Sequence, residues 1–560
     1  MSLHAPVVYI VPEDTARVAR QAFPKGNPYL RIADELGPLY ANAQFADLFS
    51  PTGQPGLDPA RLALITVFQF MEGLSDAQAA DAVRARIDWK YALALPLTDP
   101  GFDSSVLAEF RTRLLAGEAE ALLLDSVLEC LQDKGLLKAR GRARTDGTHV
   151  LAAVRVLSRL VLSGETLRAA LNALADADPA WLLEQITPEW FTRYSRRVDE
   201  YRLPKGKAER AALAATMGAD GQRLLTALYA PTAPLALRQL PAVGVLRAVW
   251  VQQFHAPDTA GVVRWREPVD QPPGARLIVS PYDAEARLST KRDQTWTGYK
   301  VHVTETCDET TPHVITHVET TPATTADAVV LAPIHTALAA KDLLPAEHLV
   351  DSGYVSGEQL VASHQEHQIR LVGPIRENTS WQAAAGAGFA AACFAVDWDA
   401  QRVTCPAGQR SRFWNPEHNE RGKNVIQVRF DTATCQACDR RAQCTKAQTE
   451  GRGLTLRPQE QHLAVAARRA EQETAEFKAA YAARAGIEGT LSQGMRVCDL
   501  RDARYRGLAK TRLQHILIAV AVSLLRVVAW LQERPRARTR ISAFAALADW
   551  PTWGRVAAAA

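Results

Sequence analysis

The chain is short of several things, and each shortage narrows what it can be. Eight cysteines in 560 residues are too few for a disulfide scaffold. Met1–Arg20 shows no basic stretch followed by an apolar core, so the expectation is no secretory leader and reduced thiols in the cytoplasm. Long apolar runs are missing. The most apolar late stretch, Ile516–Leu525, is stopped by Arg526, and it reads as a buried helix too short to span a bilayer. Internal repeats and long low-complexity tracts are absent, and the thirteen histidines form no His-Glu-x-x-His pairing. Net charge is only +4, which by itself identifies no partner.

What is present belongs to a folded, multi-unit protein. Apolar residues make up 47% and charged residues 22%, and the length predicts three or four units. The charge is unevenly spread. Residues 481–540 hold twelve Lys/Arg against four Asp/Glu, and residues 401–446 hold nine against four. A polyanionic partner would explain both clusters; a solvated helix face would explain them equally well.

The helical signals come first. Asp58-Pro59 is an N-cap and first-turn pair, Ser75-Asp76-Ala77-Gln78 is a capping box, and Asp103-Ser104-Ser105 opens a helix with Val106, Leu107, Phe110 and Leu114 on one face. Residues 1–135 are therefore expected to form an all-helical unit that binds DNA or dimerises. A strand is predicted around Asp146, followed by a helical insertion and linker over 156–274. Alternation at Tyr299, Val301 and Val303 and at Val314, Thr316 and Val318 predicts antiparallel strands. A helix, a short strand at His348–Asp351, another helix and a strand at Ile369–Ile375 follow. Residues 377–470 read as a β-rich insertion and 533–560 as a tail. The expected fold is α/β: a ribonuclease-H-like catalytic core (a mixed sheet flanked by helices, from 136–155, 275–376 and 471–532) with an all-α N-terminal domain, a helical insertion and a small cysteine-containing insertion.

Three acids stand out in that order. Asp146 lies on the first strand, Asp351 where a later strand ends, and Glu488 on a late helix. Each alone reads as readily as a turn or a surface ion pair. Together they are suited to hold two divalent cations roughly 3.5–4 Å apart on one phosphodiester. Tyr481, Arg484 and Glu488, at i, i+3 and i+7, are expected to share one helix face, with the arginine and tyrosine turned to phosphate or base.

These residues sit in motifs. Tyr481-x-x-Arg484-x-x-x-Glu488, Thr145-Asp146-Gly147-Thr148, Trp296-Thr297-Gly298-Tyr299-Lys300-Val301-His302, Val350-Asp351-Ser352-Gly353-Tyr354 and Arg504-Tyr505-Arg506-Gly507-Leu508-Ala509-Lys510 resemble those of DDE transposases of bacterial insertion sequences, and the branch named eleven-eighty-two in particular. The stretch from about Pro28 to Leu115 resembles the N-terminal domain of that group. The resemblance implies a cytoplasmic, nucleoid-associated bacterial enzyme that binds double-stranded transposon ends and target DNA, as a homodimer when DNA-bound and without a membrane. It implies Mg²⁺ or Mn²⁺, two ions, on Asp146, Asp351 and Glu488. DNA contacts are expected from Tyr481, Arg484, Arg496, Arg504, Arg506, Lys510 and Lys300. The group often carries a lysine seven residues after the glutamate. Met495 stands there in this chain, so either Arg496 or Lys510 takes that role. A nuclease or resolvase that cuts without strand transfer, or an inert DNA-binding derivative, are the alternatives.

Cys405, Cys435, Cys438 and Cys444 lie within forty residues. Cys405 precedes Pro406-Ala407-Gly408 and Cys435-x-x-Cys438 has metal-clip spacing, so a structural Zn²⁺ stands against reduced, partly buried thiols.

Overall fold

The computed structural model describes residues 3, 9–50, 52–54, 56–291, 293–384, 386, 388–420 and 422–536. Most of the tail expected over 533–560 lies outside the described residues.

The centre is a six-stranded mixed sheet. Its strands are β1 (Arg142–Leu151), β2 (Arg287–Lys291), β3 (Gln294–Thr306), β4 (Ile315–Pro322), β5 (Glu347–Val350) and β6 (Arg370–Val372). The order is β2-β3-β1-β5-β6, with β4 also paired to β3. β1, β2 and β4 run antiparallel to β3, while β5 and β6 continue the sheet in parallel. β3 is buried along nearly its whole length beyond the first two residues, because both of its faces are covered.

The two faces differ in chemistry. Asp146 lies opposite Val303 across the β1–β3 ladder, so Arg144, Asp146, Val301, Val303 and Glu305 share one face. Helices Gly486–Cys498 and Leu508–Leu531 pack on that face, next to an apolar cluster that includes Val301, Val303, Ile487 and Leu517. The other face presents Thr145, His302, Thr304 and His348. Thr145 Oγ1 bonds Thr304 Oγ1 at 2.6 Å and His348 Nε2 at 2.7 Å, and His348 in turn meets His335 at 2.8 Å, so these four side chains satisfy one another.

The predicted caps are present. Asp58 accepts the amides of Ala60 and Arg61 at the start of helix Pro59–Glu72, and Ser75 and Gln78 form the capping box of Asp76–Ala85. Beside a small cluster of their own around Ala19, Leu30 and Tyr91, the N-terminal helices share the main core of the sheet. Phe68, Phe70 and Leu107 belong to the same buried cluster as Val301 and Leu517. The helices of 159–253 have their own core around Leu167, Leu224, Leu246 and Trp250. Beyond β6 lie two small sheets, β7 (Ala395–Asp397) with β8 (Arg402–Thr404), and β9 (Phe413–His418), β10 (Asn424–Arg429) and β11 (Gly453–Leu456).

One sequence expectation needs correction. Arg526 does not stop the late apolar segment, because its charge is met by Glu305 at 2.7 Å. The helix therefore runs over 24 residues, Leu508–Leu531, and is long and apolar enough to cross a membrane by length and composition. Most of it is buried against helix Pro59–Glu72 and β4.

Candidate active site

The register of the sheet brings the first two acids together. The β1–β5 ladder ends at Thr145 opposite Val350, so Asp146 is the next residue of β1 and Asp351 is the residue that follows the end of β5. Asp146 is mid-strand, because β1 continues to Leu151 against β3 after β5 has stopped. Each carboxylate accepts a nearby backbone amide: Gly147 N–H donates to Asp146 Oδ1 at 2.8 Å, and Gly353 N–H to Asp351 Oδ1 at 2.7 Å.

The third acid comes in through Arg484. Its guanidinium donates to Asp146 Oδ2 at 2.5 Å and to Glu488 Oε1 at 3.2 Å. Burial works against the charge of Arg484, but Asp146, Tyr481, Asp351 and Glu488 together hold its pKa above the ordinary value. Burial raises the carboxyl pKa of Asp146, and the neighbouring Asp351 charge adds to it, against the opposing pull of Arg484 and the Gly147 amide. Glu488 is the exposed member, with 67% of its side chain accessible.

Tyr481, Arg484 and Glu488 do not lie on one regular helix. Tyr481 closes helix Ala475–Ala482, Arg484 lies in a 3₁₀ turn at Ala483–Ala485, and Glu488 stands in the first turn of Gly486–Cys498. The break has a cause in β1. Arg144 Nη1 donates to the Ala483 carbonyl at 2.6 Å, and its guanidinium fills the space that a Cβ on residue 486 would need, so a side chain there would push Arg144 aside. Arg144 is itself held by Glu305, which is fully buried and also meets Thr490 Oγ1 at 2.6 Å and Arg526 at 2.7 Å. Burial opposes the charge of Glu305, yet Arg526 and Arg144 keep its pKa below the usual carboxylate value.

Sequence reading missed this anchor. Its only trace was an acid inside an apolar strand, which alternation does not explain. It also missed Asp327. A Cβ on Gly353 would lie 2.8 Å from Asp351 Oδ1 and 3.1 Å from Asp327 Oδ2, so the two carboxylates flank that glycine. Lys300 neutralises Asp327 at 2.9 Å and donates to the Thr325 carbonyl. His302 and Tyr354, both in quoted motifs, are hydrogen-bonded at 2.5 Å beneath the carboxylates. Burial drives His302 down to about 4 and the Tyr354 hydroxyl well up, so both are neutral at pH 7.

The remaining basic residues divide in two. Arg496, Arg506 and Lys510 are exposed. Arg504 is engaged inside the protein, donating to the Leu74 carbonyl at 2.8 Å and lying 4.6 Å from the centre of the Phe70 ring. Lys300 is likewise held by Asp327. Cys405, Cys435, Cys438 and Cys444 all line one cavity, far along the chain from the carboxylates.

Among the described residues, no three His, Cys, Asp or Glu side chains stand ready-made around a metal ion. At the carboxylates the reason is visible: the Arg484 guanidinium lies between Asp146 and Glu488, where a cation would meet both. Two carboxylates bridged by a single cationic side chain, with Asp351 beside them, are a donor set that suits a hard divalent ion.

Residues 404–528 match a family model described as Transposase DDE domain, and residues 17–113 match one described as Transposase domain (DUF772). The first segment includes Glu488 and all four clustered cysteines; Asp146 and Asp351 lie outside both. No curated protein matches the chain. The two matches support a DDE transposase of the insertion-sequence type.

Proposed function

We propose that this chain is a DNA transposase that cuts at transposon ends and joins the freed 3′-hydroxyl to target DNA. The observation that carries the reading is the meeting of Asp146, Asp351 and, through Arg484, Glu488 on one face of a mixed sheet. The sheet order, with antiparallel strands on one side of β1 and parallel strands on the other, supports a ribonuclease-H-like core.

Asp146, Asp351 and Glu488 would hold two Mg²⁺ or Mn²⁺ ions. When bound, these supply Lewis-acid activation of the attacking oxygen and charge relief at the leaving oxygen. The protein's own groups do the positioning. Arg484, released from the carboxylates, is placed to fork onto a phosphate oxygen. Burial raises the Tyr481 hydroxyl pKa, so it stays protonated and can donate to phosphate; its ring is fixed by stacking on Phe477. In the first step a water oxygen attacks phosphorus and the P–O3′ bond breaks, leaving a 3′-hydroxyl and a 5′-phosphate. In the second step that 3′-oxygen attacks a target phosphodiester, loses its proton and displaces the target's own 3′-oxygen. Neither step uses a protein nucleophile.

Arg496, Arg506 and Lys510 are exposed on or beside the same two helices, and form the DNA-facing set with Arg484 and Tyr481. Arg504 and Lys300 join them only if DNA displaces their present partners. The test is a strand-transfer reaction with full-length chain, duplexes carrying the element's own ends, and Mg²⁺. Nicked ends and joined products are expected. Metal-dependent cutting with no joined product would support a nuclease instead, and no cutting at all would remove the assignment.

A further inference from the structure

The cysteine-bearing unit has too small a core for its size. Its clustered core is six side chains, Phe394, Val403, Val428, Phe430, Leu454 and Leu456, spread under two small sheets. Units of this kind usually need a staple. Cys405, Cys435, Cys438 and Cys444 all line a single cavity of about 40 Å³ in that core, enough space for one ion.

The backbone around the sulfurs is already arranged for thiolates. Gly408, at φ 77°, turns the chain back after Cys405, so that Gln409 N–H donates to Cys405 Sγ at 3.3 Å. Arg452 N–H donates to Cys435 Sγ at 3.5 Å. Two further donors are orphaned beside the cavity: Arg441 Nη1 and Arg452 Nε are buried without a hydrogen-bond partner.

We infer that these four cysteines form a structural Zn²⁺ site. Four thiols turn onto the ion and release four protons, leaving a tetrathiolate centre of net charge −2. Arg441 and Arg452 then face that charge with the donors that lack a partner, which accounts for two buried, unpaired guanidinium N–H groups beside a cluster of sulfurs. The site pins the end of β8 to the short helices Thr432–Gln436 and Arg441–Cys444. The inference does not depend on DNA chemistry.

The test is metal analysis of the full-length chain purified under reducing conditions without chelator. About one zinc per chain is expected. The double variant Cys435→Ser/Cys438→Ser should retain less than roughly a tenth of it, while Cys393→Ser, whose thiol is exposed and outside the cavity, should retain all of it. Because the double variant could misfold, wild-type protein is also titrated with a mercurial. Zinc release should track modification of four thiols, and Co²⁺ substitution should give a thiolate charge-transfer band. Metal-free reduced protein, zinc that survives the double substitution, or release uncoupled from thiol modification would each overturn the site.

Discussion

Replacing Glu305 by glutamine tests how the third acid is positioned. Glu305 is fully buried between Arg144 and Arg526, whose side chains are 6% and 19% exposed. The substitution keeps the shape and removes only the charge, leaving two arginines without their counter-ion. Removing one partner of a buried pair costs about 3–5 kcal/mol. That loss falls on the turn that Arg144 holds through the Ala483 carbonyl, and on the Thr490 contact inside helix Gly486–Cys498. A chain with several cores need not unfold in one step, so local hydrogen exchange is the right assay. Amides of Gly486–Cys498 should lose protection by roughly a hundred- to several-thousand-fold, since about 1.4 kcal/mol is tenfold. Amides of the separate helical core around Leu224 should be unaffected. A change below about fivefold in Gly486–Cys498 would refute the idea that Glu305 anchors this helix. The pH dependence has a defined sign. The folded pKa of Glu305 is depressed, so its contribution is fully present above the ordinary carboxylate value of about 4.3 and is lost as pH falls through the lower folded value.

Other outcomes follow from the same geometry. Asp146→Asn, Asp351→Asn and Glu488→Gln should each lower cleavage by roughly a thousand-fold or more while sparing DNA binding, as the loss of several kcal/mol of metal-borne stabilisation requires; normal cutting by any one variant removes that residue from the site. Asp146 has a raised folded pKa, so its contribution is present below about 3.9 and lost as pH rises through the raised value. Asp146→Asn should therefore leave metal-free protein no less stable at pH 7 by thermal unfolding, and should abolish the rise in Tm that Mg²⁺ gives the wild type. A lowered Tm with an intact Mg²⁺ response would contradict this. Duplex affinity should fall with salt, and Arg506→Ala or Lys510→Ala should each reduce the log–log slope by about 1; an unchanged slope would place that residue away from phosphate.

The sequence was most readable where chemistry is local. The caps at Asp58 and Ser75 are one-turn signals, and both formed as expected. Asp351 at the end of a short strand was legible because Ser-Gly follows an apolar run. The meeting of Asp146 with Asp351 was legible only through the motifs, since 205 residues separate them and a register cannot be read from one strand alone. The break at Ala483–Ala485 was hidden because its cause, Arg144, lies on a distant strand. Arg526 was misread as a stop because its counter-ion sits on β3. The shared core of the N-terminal helices and the sheet was invisible for the same reason: Phe68 and Leu517 each look like an ordinary buried face within their own segment.

The central claim is that Asp146, Asp351 and Glu488 share metal ions. Anomalous scattering from crystals of the full-length chain soaked in Mn²⁺ tests it most directly. Density touching all three carboxylates is expected, with the Arg484 guanidinium displaced from Asp146. Manganese bound elsewhere, with Arg484 still bridging Asp146 and Glu488, would contradict it.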